Sequence, residues 1–315
     1  MKLRLLLSLA VVAFAVTRAV SAQAFELGVV AFQMSSETHA RVANAVEAAA
    51  RKKGWDVVVL NSNGTLQTHA EQIENLVQSG VDGIVLAMSK PVEFDAQMQE
   101  VKDAGIPLIT VMSGASPNAL FDIQVNEYAV GSESALYLLG QLGYEGSILT
   151  DRFESNVGTR IRGKVLDVVL SENQAVKEVG SHSMARTKSW QEDVRNGMNA
   201  LIMQNAGNFD GIWASFDGQA FIIDDLLKQQ GMQKGDVVLV STDGGPETFR
   251  RIKSPDSMLM ATVAIPFEAM GEAAVDAMQK IAVDGAAKET ITSGPYLYMQ
   301  ADLVDQSNVD DFIKE

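Results

Sequence analysis

The chain has 315 residues, 47% of them hydrophobic, no cysteine and a formal net charge of −15. The missing cysteine excludes disulfides, thiol catalysis and thiolate metal sites, and the acidic balance opposes binding to nucleic acid or anionic lipid. The apolar fraction is high enough for large cores and excludes a disordered chain.

Lys2 and Arg4 form a short basic start, and Leu5–Val16 is apolar except for Ser8. Val20-Ser21-Ala22 and Ala22-Gln23-Ala24 then have the small-x-small form that signal peptidase accepts. This three-part layout predicts a secretory signal peptide over 1–24, removed before Phe25 or Gln23. The alternative, a membrane anchor, needs roughly 20 apolar residues, and this run is shorter. With no cysteine to carry a lipid anchor, the expected compartment is a Gram-negative periplasm. The leader holds three basic residues and no acidic one, so the remainder carries 22 basic against 40 acidic residues, a balance of −18. About 290 residues remain, enough for one large domain or two ordinary ones.

Three helical stretches follow, each closed by a glycine and leading into a short apolar run. Thr38–Lys53 ends at Gly54 before Trp55–Leu60, Thr68–Ser79 at Gly80 before Gly83–Ala87, and Pro91–Ala104 at Gly105 before Pro107–Val111. Glycine accepts the left-handed conformation that ends a helix. Ile73, Leu76 and Val77 share a face at helical spacing. Pro91 suits a first helical turn. The runs after the glycines are short and β-branched, as strands buried on both faces should be. Alternating strand and helix predicts a parallel sheet with right-handed crossovers.

The same alternation resumes after a short join near Gln124–Glu127. Strands are predicted at Gly146–Thr150, Val176–Ser183, Gly211–Ser215, Asp236–Ser241 and Met258–Ala264, and helices at Val157–Ser171, Trp190–Asn205, Gln219–Gln230 and Pro266–Val283. About ten strands and nine helices fit two sheets better than one. The join has no low-complexity linker, which suggests a hinge.

Ligands of open parallel sheets bind beyond the carboxyl ends of the strands. That rule selects Phe32 to Ser36 with Thr38 and His39, then Met88 and Ser89, then Met112 and Ser113. In the second half it selects Asp151 and Arg152, Phe216 and Asp217, and Thr242 and Asp243. Aromatic faces stack on C–H surfaces and carboxylates accept from hydroxyls, so the set suits a polyhydroxylated ligand. Each residue also has a plainer role open to it. Asp217 could be a helix N-cap, Asp243 a turn residue, Phe32 and Phe216 core rings, and Arg162 part of a basic face with Arg160 and Lys164. Trp55 and Trp213 read as packing. His69, His182, Asp224-Asp225 and Asp310-Asp311 read as surface. Glycine-rich phosphate loops after a strand and Gly-x-Ser-x-Gly are absent, and the three histidines lack metal spacing. No enzyme activity, metal or cofactor is expected.

Several motifs together resemble the periplasmic sugar-binding proteins of the ribose- and galactose-binding type, over essentially the whole exported chain. They are Asn126-Glu127-Tyr128-Ala129-Val130-Gly131, Gly158-Thr159-Arg160-Ile161-Arg162-Gly163, Asp210-Gly211-Ile212-Trp213-Ala214, Ser241-Thr242-Asp243-Gly244, and Asp302-Leu303-Val304 followed by Asn308-Val309. The resemblance implies an α/β fold of two doubly wound parallel-sheet lobes joined by three hinge crossings, near Val125, Ala264 and Leu297. One lobe would hold 25–125 and 265–296, the other 126–264 and 297–315. It implies a monomer that closes on one sugar or polyol and hands it to the permease of an ABC transporter, to a chemoreceptor, or to both. Carried over by position, Arg162 would donate to the ligand and Asp243 would accept from it. Phe32, Ser36 and His39 would line the first-lobe wall, and Trp190 would stack on the ligand. With Ser89, Met112, Phe216 and Asp217 from the strand-end rule, these are the candidate ligand residues.

The chain departs from the ribose type at three positions. Met112-Ser113 stands where those proteins have Asp-Arg, Phe216 where they have Asn, and Ile265 where they have Gln. The site is therefore expected to be less polar and to suit a smaller, modified or partly apolar polyol derivative. A sugar-responsive repressor would need a DNA-binding helix-turn-helix ahead of the first strand, where the leader stands. A secreted enzyme on the same fold would turn over its sugar.

Overall fold

The computed structural model describes residues 24–90 and 93–313. The expected leader therefore lies almost entirely outside the described residues, as does Pro91. Two six-stranded sheets organise the described residues.

The first sheet is built from β1 (Glu26–Ala31), β2 (Asp56–Asn61), β3 (Gly83–Ala87), β4 (Leu108–Val111), β5 (Asp122–Val125) and β11 (Tyr296–Met299). Their order is β11-β5-β4-β3-β1-β2, and every pairing is parallel. Helices α1 (Glu37–Lys52) and α9 (Phe267–Met278) cover one face, and α2 (Leu66–Ser79) and α3 (Asp95–Asp103) cover the other. β1 shows why its run is so apolar. Leu27, Val29 and Ala31 enter the core under α1 and α9, while Val30 and the following Phe32 enter the core under α2 and α3. Both faces are buried, so both must be apolar. Gly28 lets α2 approach, since a Cβ there would sit 2.6 Å from Leu76 Cδ1. Gly80 takes φ 71° and closes α2, with its N–H bonded near the helix end.

The second sheet holds β6 (Gly146–Arg152), β7 (Val176–Ser183), β8 (Gly211–Ala214), β9 (Val238–Asp243), β10 (Leu259–Ala264) and β12 (Asp302–Asp305). Their order is β12-β10-β9-β8-β6-β7, with only the β10–β12 pair antiparallel. Helices α4 (Glu127–Gln141) and α5 (Val157–Glu172) pack on one face. α6 (Trp190–Gln204), α7 (Asp217–Gln229) and α8 (Pro246–Lys253) pack on the other. Trp213 is fully buried and donates to Ser134 Oγ at 3.1 Å, in the packing role expected of it.

The chain therefore forms two α/β lobes and passes between the sheets three times. It crosses after Val125 and after Ala264, then between Met299 and Asp302. Leu297 pairs with Ile123, so the last passage comes later than its expected position. β5, β11, β12, α4 and α8 were not predicted. The strands have four residues each, too few to show a period, and α4 carries Gly131 and Gly140. Gly131 is there for contact, because a Cβ would meet the Arg162 backbone at 2.9 Å.

Candidate functional site

Arg162 is the hub of the second lobe's inner edge. Asn156 caps α5 by accepting from Thr159 N–H, and the helix turns Thr159, Arg162, Gly163 and Leu166 inward. The Arg162 guanidinium grips Glu127 with both arms, Nε to Oε2 at 2.6 Å and Nη2 to Oε1 at 3.1 Å. Nη1 donates to Asp243 Oδ1 at 3.1 Å, to the Ser215 carbonyl at 3.2 Å and to Thr242 Oγ1. Glu127 is the first helical residue after the first crossing. One side chain thus ties that crossing to the ends of β8 and β9. Burial opposes the positive charge, but Glu127 and Asp243 outweigh it and raise the pKa further. Arg162 is not part of an exposed basic face, since it is 3% exposed.

Asp243 closes β9 at φ 116°. A non-glycine residue in that region is strained and marks a place held by its surroundings. Burial pushes its carboxyl up to about 7, Arg162 opposes the rise and the nearby Asp217 charge adds to it. Asp217 has a different role from the one expected. Its Oδ2 accepts from Gly244 N–H at 2.7 Å and Thr248 Oγ1 at 2.6 Å; its Oδ1 accepts from Thr262 Oγ1 at 2.9 Å and from Ser241 Oγ. Both oxygens are committed to the protein, so Asp217 builds the Asp243 turn and has no oxygen left for a ligand. It is not an N-cap either, because Phe216 holds that position.

Phe216 and Trp190 form an aromatic corner with ring centres 5.6 Å apart, and Phe153 lies 6.2 Å from Phe216. Both Trp190 and Phe216 are half-buried at the first turns of α6 and α7. They can offer ring faces to apolar C–H surface.

In the first lobe, Phe32 is mostly core, with its ring 5.5 Å from His69. His39 is half-buried, and its Nδ1 accepts from Gln33 N–H at 3.3 Å. Ser36 stands at the N-cap of α1 without a capping side-chain bond, its hydroxyl 3.3 Å from that of Thr38. Met88 and Met112 both take left-handed φ, 57° and 50°, immediately beyond β3 and β4. Buried Asp122 supports the second of these turns by accepting from Thr110 Oγ1 at 2.7 Å and Ser113 N–H at 3.0 Å. Lys90 Nζ lies 5.7 Å over the Phe32 ring.

The lobes meet at the Asp243 turn. Arg41 on α1 is paired with Glu268 at 2.7 and 2.9 Å and donates to the Gly244 carbonyl of the second lobe. The structure thus joins Arg162 and Asp243 directly, and sets Phe216 beside Trp190.

Several residues read as surface are not. His69 and Asp224 are fully buried. Asp224 accepts from Met258 N–H and Ser257 Oγ and pairs with Arg251 and Lys228. His182 bonds the buried Asp151 at 2.8 Å. Glu127, His69 and Asp122 are site-supporting residues that sequence reasoning passed over. Glu127 alone had a signal, its place in the Asn126–Gly131 motif.

The two first-lobe histidines predict a pH response. Burial lowers both His39 and His69 from 6.5 to about 4. Between those values the unfolded chain binds protons that the fold refuses, so each ring removes stability as the pH falls from 6.5 toward 4 and contributes nothing above 6.5. Asp122 and Asp151 act oppositely. Burial raises both to about 6, so the fold holds protons that the unfolded chain releases and gains stability as the pH falls through 6. Comparison with His69→Gln isolates the histidine. Parental stability should fall relative to the variant by about 3 kcal/mol between neutral pH and pH 4. Urea titrations at several pH values read this, and parallel profiles would refute it.

The family of sequences described as the periplasmic binding protein domain matches residues 27–287. The chain is similar to a xylitol-binding protein of Mycolicibacterium smegmatis, 26% identical over 90% of this chain and 78% of the other. It is similar to a ribose import binding protein of Bacillus subtilis, 20% identical over 85% of each. Its fold is similar to that of an ABC transporter solute binding protein from Agrobacterium vitis with bound allitol. The TM-score there is 0.79 at 20% identity, covering 92% of this chain and 98% of the other.

Proposed function

The chain belongs to the family of periplasmic binding proteins, and from that premise we propose that it captures a sugar or polyol between its two lobes and delivers it to an ABC permease without chemical change. The observation that carries this reading is the strained Asp243 carboxylate, fixed by Arg162 at the carboxyl end of β9 where the lobes meet. A carboxylate so held can accept from a pair of ligand hydroxyls, and the Trp190–Phe216 corner can cover a C–H face. The relatives named for xylitol, ribose and allitol bind molecules of this class. In the cell the chain would act as a monomer in the periplasm after loss of residues 1–24 or 1–22.

Titration with xylitol, D-ribose and allitol, followed by thermal unfolding, tests the assignment. A ligand at 100 times its dissociation constant should add about 2.7 kcal/mol of stability. No shift with any sugar or polyol, or conversion of the bound molecule into a product, would remove this function.

A further inference from the structure

A directed chain of hydrogen bonds runs behind the first-lobe wall. The Asn61 carbonyl can only accept, and it accepts from Gln72 Nε2 at 3.2 Å. This orients the amide and turns Gln72 Oε1 toward Ser62, whose hydroxyl donates to it at 2.6 Å. A hydroxyl has one proton. Ser62 therefore has only a lone pair left for His69 Nδ1, 2.7 Å away, and Nδ1 must carry the ring hydrogen. A neutral ring then has a bare Nε2, which accepts from Ser89 Oγ at 2.8 Å. The ring sits fully buried between Phe32 and Phe94, at centroid distances of 5.5 and 4.5 Å. That apolar sandwich disfavours the imidazolium. Ser89 is locked from its other side, where its N–H donates to Ser113 Oγ at 2.8 Å.

We propose that this relay makes His69 a positioning residue that turns the Ser89 proton inward, so that Ser89 meets the ligand only as a hydrogen-bond acceptor. Ser89 stands two residues beyond β3 and is 4% exposed, at the carboxyl end of the first sheet where open parallel sheets bind their ligands. The first-lobe wall therefore selects a ligand that presents a hydroxyl donor there. It discriminates against the same ligand with that hydroxyl methylated or replaced by fluorine. The inference rests on the reading of the cleft as a sugar or polyol site.

Two measurements test it. Nitrogen-15 spectra of the histidine rings, with His69 assigned through His69→Gln, should show Nδ1 protonated and Nε2 bare at neutral pH. A ring protonated at Nε2, or at both nitrogens, overturns the relay whether or not any sugar binds. Calorimetric titration of D-ribose, xylitol and their singly O-methylated derivatives then compares the parent with Ser89→Ala. At one hydroxyl the ether should cost the parent about tenfold or more in affinity, and that cost should largely vanish in the variant. A cost unchanged by Ser89→Ala, or no such position in a probe that binds, overturns the selection. A chain that binds neither probe would count against the sugar reading itself, while the ring spectrum still decides the relay.

Discussion

Arg162→Ala should lower stability by about 3 to 5 kcal/mol, the usual cost of leaving a buried charge without its partner. Two carboxylates lose their cation at once. Glu127 is 9% exposed and faces the guanidinium with both oxygens, and Asp243 accepts from its Nη1. The Ser215 carbonyl loses a donor as well. Arg162→Lys should recover little, because one ammonium cannot reproduce the planar fork that reaches Glu127 and Asp243 together. Arg162→Met combined with Glu127→Gln removes both charges of the main pair and should be more stable than Arg162→Ala. Urea unfolding read by circular dichroism measures all three variants. A loss below about 1 kcal/mol in Arg162→Ala would show that the network is relieved by solvent.

The two aspartates of the second lobe should separate stability from binding. Asp217→Asn replaces one acceptor oxygen with an NH2 group that faces donors. Four donors converge on Asp217, and an unsatisfied buried donor costs about 1 to 3 kcal/mol. A loss of about 2 to 4 kcal/mol is therefore expected, with the Gly244–Gly245 turn loosened. Asp243→Asn should behave differently. Burial pushes its carboxyl up to about 7, so at neutral pH its charge costs folding free energy that an amide does not, and the substitution should leave stability unchanged or raise it. A charged group bonded to a neutral ligand is worth about 1.5 to 3 kcal/mol, so affinity should drop roughly tenfold to over a hundredfold. Calorimetry with whichever polyol raises the melting temperature of the parent provides the comparison. Near-parental affinity in Asp243→Asn, or loss of stability without loss of affinity, would make Asp243 a turn residue only.

Much of the fold was legible in the sequence because its signals are local. A helix end needs a residue that tolerates positive φ, and Gly54, Gly80 and Gly105 all adopt it, at 80°, 71° and 72°. A strand covered on both faces must be apolar wherever it is buried, and β1 after Glu26 and all of β3 are. From these two signals follow the alternating elements and the parallel pairing, while the antiparallel β10–β12 pair of the second sheet lay beyond them. The strand-end rule likewise places Asp243 and Phe216 without any partner being known.

Tertiary structure decided what depends on groups far apart in the chain. Asp217-Gly218 and Asp243-Gly244 are alike as sequence. They differ because Ser241, Gly244, Thr248 and Thr262 converge on Asp217, while Asp243 receives Arg162. His69 and Asp224 read as surface because a polar residue is costly to bury alone. Both are buried because their partners come from other elements, Ser62 and Ser89 for the histidine, Ser257, Met258 and Arg251 for the aspartate. A carboxylate or imidazole has no preference for core or surface until its donors and acceptors are in place, and only the packing of distant segments supplies them.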